Sequence, residues 1–359
     1  MQDILGTAMT PHGPRAVRIA VAEGRIAEIT PDSAAGDALI LPGFIDLHCH
    51  GGGGDDVMDG DGAAARIAVY HAQTGTTAML ATTMTAPVDR IRSVLGDVGR
   101  AMAAPAPGAA EILGVHLEGP FISPDMLGAQ PACAREIDLG LLDAFDALAP
   151  LRVLTYAPEA DPEGRLLAFA RARGIRAQLG HSPCPYETAE AAFRDGAGGA
   201  THLFNAMSPL HHRAPGLVGA ALAHADHAEL IPDLLHVHPG AIRAALRAIP
   251  GLYAVTDATR ATGMPDGSYP FGEITATKCG NGLRLADGTL AGSCLSMLQA
   301  FRNLVEIGLP PSEAARRCAT LQADYLGLYD RGRIATGAVA DLVILAPDLT
   351  LREVVLRGR

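Results

Sequence analysis

The segment Ile45–Asp56, IDLHCHGGGGDD, closes an apolar run with two histidines one residue apart and follows them with four glycines. In a strand, side chains alternate between faces, so His48 and His50 share one side while Cys49 points into whatever packs behind. Gly51 to Gly54 are expected to turn the backbone sharply and leave open space in front of the histidines. An apolar strand that ends in ionisable side chains recurs along the chain, and that recurrence decides the fold.

Seven further runs read the same way: TTAMLATTMT (76–85), ILGVHLEGPF (112–121), LRVLTYAPE (151–159), IRAQLGHS (175–182), GATHLFNAM (199–207), AELIPDLLHVH (228–238) and LYAVTDAT (252–259). Helix-like pieces such as GAAARIAVYHAQTG and DPEGRLLAFARARG separate most of them. Strand–helix alternation implies a parallel sheet, and about eight such units is the number that closes a (β/α)8 barrel. An open doubly wound sheet is the competing arrangement, but no GxGxxG follows the first strand. The two ends differ from the middle. AVRIAVAEGRIAEITPD (16–32) alternates apolar and polar positions around Glu23-Gly24, and GRIATGAVADLVILAPDLTLREVVLRG (332–358) holds two β-rich runs. Both ends are expected to build one small sheet domain.

Composition narrows the partners. Of 359 residues, 48% are hydrophobic and 19% charged, enough to bury a large core. A net charge of -11 argues against nucleic acid or an anionic membrane as partner, since each needs a broad basic surface. No run of about 18 apolar residues and no basic-then-apolar leader pattern is visible, so a soluble, cytoplasmic protein is expected. The six cysteines are scattered and form no CxxC pair, which reads as reduced thiols.

Taken singly, a histidine at a strand end is more often structural than functional. The set is different. His48 and His50, Glu118, His181, His202, His236 and Asp257 each stand near the end of a candidate strand, and in a parallel barrel all those ends surround one mouth. Imidazole and carboxylate together suit a borderline divalent cation such as zinc, iron or manganese.

The stretches PGFIDLHCHGGGG, VHLEGPFI, LGHS, THLFNAM, RAPGLVGAAL, LHVHP, VTDAT and LAGSCLSM resemble, in this order, the amidohydrolase superfamily and within it the N-acetylglucosamine-6-phosphate deacetylases. The terminal GRIATGAVADLVIL is similar as well, so the resemblance covers almost the whole chain. It implies a distorted (β/α)8 TIM-like barrel over 43–330 and a small β-sandwich domain from 1–42 and 331–359. It implies that Glu118, His181 and His202 hold a principal metal and that His48 and His50 add capacity for a second, with zinc expected first and iron or manganese as alternatives. Lys278 is the only lysine and follows Asp257, so no carbamylated lysine on a mid-barrel strand can bridge two metals.

The implied reaction is hydrolysis of an acetamide on a phosphorylated amino sugar. The cation lowers the pKa of water from about 15.7 toward 7, and Asp257 accepts a proton and returns it to the departing amine. Ala129, Gln130, Asn205, Ala206, His236, Leu295, Ser296 and Met297 match substrate-contacting positions. Arg213 matches an arginine for the sugar phosphate, expected to reach the neighbouring subunit's site in a homodimer.

Two departures from the family pattern stand out. Gly128-Ala129-Gln130 replaces the usual Gly-Ala-His or Gly-Thr-His, and Pro232-Asp233-Leu234-Leu235 replaces Ala-Asp-Gly-Leu. Both leave N-acetylgalactosamine-6-phosphate, or another N-acylated amine, open as the substrate. A catalytically silent sugar-phosphate sensor is the reading from another class; it needs broken ligand positions, and all are filled.

Overall fold

Each of the eight apolar runs supplies a strand in the computed structural model, which describes residues 2–272 and 274–359. In chain order they are β1 (Phe44–Asp46), β2 (Thr76–Thr83), β3 (Glu111–Glu118), β4 (Leu151–Tyr156), β5 (Arg176–Leu179), β6 (Gly199–Ala200), β7 (His227–Leu230) and β8 (Gly251–Ala254). Each pairs in parallel with the next. Nearly every residue of these strands is buried, because the barrel interior covers one face and helices the other. The helix Val88–Ala103 shows how: Ile91, Val94, Leu95, Val98 and Ala101 recur at helical spacing and form its buried stripe.

The barrel closes at its rim. β8 and β1 do not pair along their length, but Cys49 and Ala258 form a parallel bridge and the Asp257 N–H donates to His48 O at 2.9 Å. Beneath that bridge Asp46 accepts from the Thr256 N–H at 3.2 Å and from its hydroxyl at 2.5 Å. A buried side-chain clasp thus replaces ladder bonds at the seam.

The chain ends meet in one six-stranded sheet, ordered Leu351–Val355, Leu342–Leu345, Leu39–Pro42, Gln2–Thr10, Gly13–Ala22, Arg25–Pro31. Glu23 and Gly24 both have positive φ (50° and 75°), the conformation a two-residue hairpin turn demands. Ile4, Val17, Ile19, Ile26, Ile40, Leu342 and Val355 form a core there, separate from the barrel's.

Three features depart from expectation. The seventh run does not stay extended to His236–His238: β7 ends at Leu230, because Pro232 has no N–H for the ladder and Leu234 turns left-handed (φ 64°). The glycines after His50 do not open space before the histidines. Gly51–Gly52 pair with Asp55–Asp56 in a minute hairpin, and a Cβ on Gly52 would stand 2.6 Å from His71 and 2.7 Å from Tyr70. Glycine is needed there for close packing. Finally, the segment after β8 forms a four-stranded antiparallel sheet, Gly267–Phe271, Ile274–Cys279, Gly282–Arg284 and Leu290–Ser293, which the strand count did not include. It carries a small core of Met84, Ala261, Phe271, Ala276, Leu283 and Ala291.

Candidate metal centre

Glu118 is the last residue of β3, and His48, His181 and His202 each follow a strand end by two residues. His50 and Asp257 stand slightly further along the loops after β1 and β8. All six are buried at the barrel mouth.

Glu118 Oε1 lies 3.1 Å from His181 Nε2 and 3.0 Å from His202 Nε2, and the two nitrogens are 3.1 Å apart. A tetrahedral ion with bonds of about 2.0–2.1 Å holds its ligand atoms roughly 3.3 Å apart, so this triangle has the size a zinc-like cation requires. His181 Nδ1 lies 3.0 Å from the Met126 carbonyl oxygen, so with Nδ1–H donated there its Nε2 lone pair is aimed at the same point. A second set adjoins it. His48 Nε2 and His50 Nε2 are 3.1 Å apart, and Asp257 Oδ1 is 3.5 Å from the first and 3.2 Å from the second. Glu118 stands between the sets, its Oε2 3.2 Å from His50 Nε2. The donors fit one divalent cation in the first set and have room for a second.

The electrostatics favour the same conclusion. Burial opposes the Glu118 carboxylate, but His48, His181 and His202 outweigh it and hold the group well below the usual carboxylate range. Burial likewise opposes Asp257, and His50 and His48 prevail, leaving it ionised at neutral pH. For His50, burial disfavours the charged ring, yet Asp257 and Glu118 carry it up to about 9. The mouth is built to hold positive charge at the imidazole nitrogens.

The backbone here is strained. His181, His202, Phe204, Ala206, Leu234 and Asp257 all have positive φ, six of the ten such non-glycine residues among those described. Each costs on the order of 1–3 kcal/mol and persists only where its surroundings over-determine it, a pattern that marks binding sites.

Glu118, Gln130, His181, His202, His236 and Asp257 face a cavity of about 300 Å³, with Ala129, Asn205 and Ala206 on its wall. Phe271, Thr289, Leu290 and Gly292 of the antiparallel sheet complete the lining. A larger surface groove of about 1090 Å³, bounded by Arg135 and Arg165, has no comparable convergence of groups. Gln130 donates to Glu118 Oε2 at 2.5 Å and accepts from the Thr85 N–H at 2.8 Å, so its amide is locked against the cluster. His236 Nδ1 lies 2.6 Å from Asp233 Oδ2; burial alone would lower its pKa, but Asp233 raises it.

Four of the expected residues do not line this cavity. Arg213 is exposed and its guanidinium donates to His212 Nε2 at 2.7 Å, outside the cavity. Leu295, Ser296 and Met297 sit behind the lining for a local reason: Ser296 accepts from the Gln299 N–H and caps the helix Met297–Glu306, while Leu295 and Met297 pack into the barrel core. Asp46, His116 and Glu229, fully buried polar groups beneath the mouth, were not among the expected site residues. A carboxylate inside an apolar strand such as β7 is the one signal that pointed to Glu229.

The chain matches the amidohydrolase family over residues 39–359. It is 39% identical over 336 residues to N-acetylglucosamine-6-phosphate deacetylase of Bacillus subtilis, covering 90% of this chain and 85% of that one. It is 36% identical over 354 residues to N-acetylgalactosamine-6-phosphate deacetylase of Escherichia coli O157:H7, covering 95% and 94%. The solved structure of a variant N-acetyl-D-glucosamine-6-phosphate deacetylase from Mycobacterium smegmatis, in complex with N-acetyl-D-glucosamine-6-phosphate, superposes with a TM-score of 0.90 at 32% identity, covering 100% and 99%.

Proposed function

The chain belongs to the amidohydrolase family, and from that premise we propose that it hydrolyses the acetamide of N-acetylglucosamine-6-phosphate to glucosamine-6-phosphate and acetate. The observation that carries this is the Glu118–His181–His202 triangle with Asp257 beside it, at the floor of a cavity of about 300 Å³.

A divalent cation held by Glu118, His181 and His202 supplies Lewis acidity toward water and the acetyl carbonyl when bound. Zinc suits the donor set best, with iron or manganese as alternatives, and His48 and His50 with Asp257 extend capacity to a second ion. Asp257, held ionised by its histidine neighbours, accepts the proton of the attacking water. It then delivers that proton to the sugar nitrogen, since an amide anion would not depart. His236, its Nδ1 braced by Asp233, lines the cavity and is assigned to contact the substrate. Gln130 takes the place of the family's histidine and can offer an uncharged N–H beside Glu118. Asn205 and the Ala206 backbone are assigned to the sugar or its phosphate.

Arg213, exposed on its own subunit, is assigned to the phosphate of a neighbouring copy, which makes a homodimer part of this reading. A cytoplasmic location is also part of it, supported by six free cysteines. We divide the chain into a terminal-sheet domain, 1–42 with 331–359, and a barrel, 43–330, a division supported by the separate core of the terminal sheet. Among the described residues no helix is long and apolar enough to cross a membrane.

N-acetylgalactosamine-6-phosphate is a second reading, favoured by the Escherichia coli relative and by Gln130. Acetate release from both phosphorylated sugars and their unphosphorylated forms tests the assignment. The glucosamine substrate is expected to be fastest, and the phosphate to raise kcat/KM at least tenfold. Equal rates with and without phosphate would remove the sugar phosphate from the reading.

A further inference from the structure

Glu229 lies within β7, fully buried, in a stretch that otherwise supplies apolar wall. A buried carboxylate is costly unless its oxygens are paired. Here one oxygen serves both ligand sets. Glu229 Oε2 accepts from His48 Nδ1 at 2.8 Å and from the backbone N–H of His202 at 3.2 Å. Its Oε1 accepts from Tyr253 OH at 3.5 Å and lies 3.8 Å from His116 Nδ1.

The contact on His48 has a chemical consequence. With Nδ1–H donated to a carboxylate, the lone pair sits on Nε2, the atom that faces His50, Asp257 and Glu118 at 3.1, 3.5 and 3.6 Å. A carboxylate behind an imidazole fixes the tautomer, fixes the ring and strengthens the nitrogen as a ligand. His50 has no such support: its Nδ1 is buried without a partner. The second set is therefore held in place through His48, and His48 is held by Glu229. The same oxygen also anchors the left-handed loop that presents His202 (φ 28°) to the first set.

We propose that Glu229 is a positioning residue that orients His48 toward a second divalent cation and mechanically links that site to the first. The inference rests on the two-ion form of the function proposed above. A role in packing alone predicts that removing the charge weakens both sites together or neither. Positioning predicts a split.

Glu229→Gln makes that distinction. The glutamine oxygen can keep both Oε2 bonds while its amide faces Tyr253 and His116, so shape survives and charge is lost. Zinc content by elemental analysis and zinc affinity by competition with a chromogenic chelator are read on the intact enzyme. The second ion should bind about 10- to 100-fold more weakly, while the first changes by less than about threefold. Equal weakening of both ions, or of neither, overturns the role of Glu229. One ion in the wild type, unaffected by His48→Ala, overturns the two-ion reading and this inference with it. Two ions in the wild type with an unchanged Glu229→Gln variant would count against Glu229 alone. If the variant does not fold, proton NMR of the zinc-loaded wild type decides: a slowly exchanging, downfield imidazole N–H that His48→Ala abolishes is expected, and its absence overturns the proposal.

Discussion

Asp257→Asn removes the proton carrier while leaving the three donors of the first ligand set unchanged. The backbone of Asp257 is pinned at both ends, its N–H donating to His48 O at 2.9 Å and its carbonyl accepting from the Ser293 N–H at 2.7 Å. Neither bond involves the side chain. Asparagine also tolerates the left-handed backbone at φ 51°, whereas alanine there would add strain of about 1–3 kcal/mol. Asparagine is isosteric and keeps both backbone bonds, so the variant should fold and its metal content can be read directly. What is lost is a carboxylate 3.2 Å from His50 Nε2 and 3.5 Å from His48 Nε2, the group beside the first ligand triangle that is assigned to carry the proton. General base and acid catalysis contributes about 10²- to 10⁴-fold, which corresponds to about 2.7–5.4 kcal/mol of barrier. Acetate release at saturating N-acetylglucosamine-6-phosphate should therefore fall at least about 100-fold. Elemental analysis should show the ion of the Glu118 set still bound, since none of its three donors has changed. Turnover within threefold of wild type, at equal metal content, would refute Asp257 as the proton carrier.

Glu118→Gln removes the anion on which both ligand sets converge, so bound zinc should fall to less than about a tenth of wild type; full retention on elemental analysis contradicts its ligand role. Arg213→Ala should raise KM for the phosphorylated sugar about 10- to 100-fold, the worth of a charge-assisted hydrogen bond, without affecting the unphosphorylated sugar. An equal effect on both would detach Arg213 from the phosphate. Burial and the neighbouring His48 push the His116 pKa down to about 4, so its ring stays neutral in the fold while the unfolded chain takes up a proton near 6.5. Stability from this residue is present above pH 6.5 and lost as pH falls toward 4, by about 3 kcal/mol at most. Urea melts of His116→Gln should show a shallower acid-side decline than wild type, and parallel curves would refute the assignment. Stripping metal with a chelator should lower Tm, and restoring zinc at about 100 times its Kd should return roughly 2.7 kcal/mol; a Tm indifferent to metal would mean that no ion is bound by the folded state alone.

The barrel was legible because its strands are buried on both faces and read as continuous apolar runs, each cut off where polar chemistry begins. The residues that end those runs were legible for the same reason: Glu118 in VHLEGP and His181 in LGHS interrupt an apolar pattern abruptly. The end of β7 was misplaced because its apolar run continues past Pro232, where the missing N–H counts for more than hydrophobicity. The antiparallel sheet over the mouth was passed over although Cys279-Gly280-Asn281-Gly282 and Asp287-Gly288 are hairpin turn signals. Its strands are half exposed and short, so no apolar run drew attention to them. Yet Thr289, Leu290 and Gly292 from that sheet line the cavity, where the resemblance had pointed to the neighbouring Leu295, Ser296 and Met297.

The candidate ligands could be proposed from one dimension and the groups that pair with them could not, and the difference is physical. A ligand's role lies in its own donor atom, which its residue type declares. A support's role lies in a pairing. Asp46 matters because Thr256 stands across the seam, 210 residues away, and Glu229 because His48 does, 181 residues away. Such groups sit inside strands, where an acidic side chain reads as an exception with no visible partner. The strained loops make that layer necessary. His181, His202 and Asp257 hold left-handed backbones that would relax if nothing beneath them were rigid. What lies beneath includes paired polar groups: Thr155 to His116 at 2.7 Å, Glu229 to His202, Asp46 to Thr256. Replacing it with hydrocarbon of equal volume could preserve the barrel while letting the mouth relax, so in this chain the polar floor belongs to the site as much as the donors do.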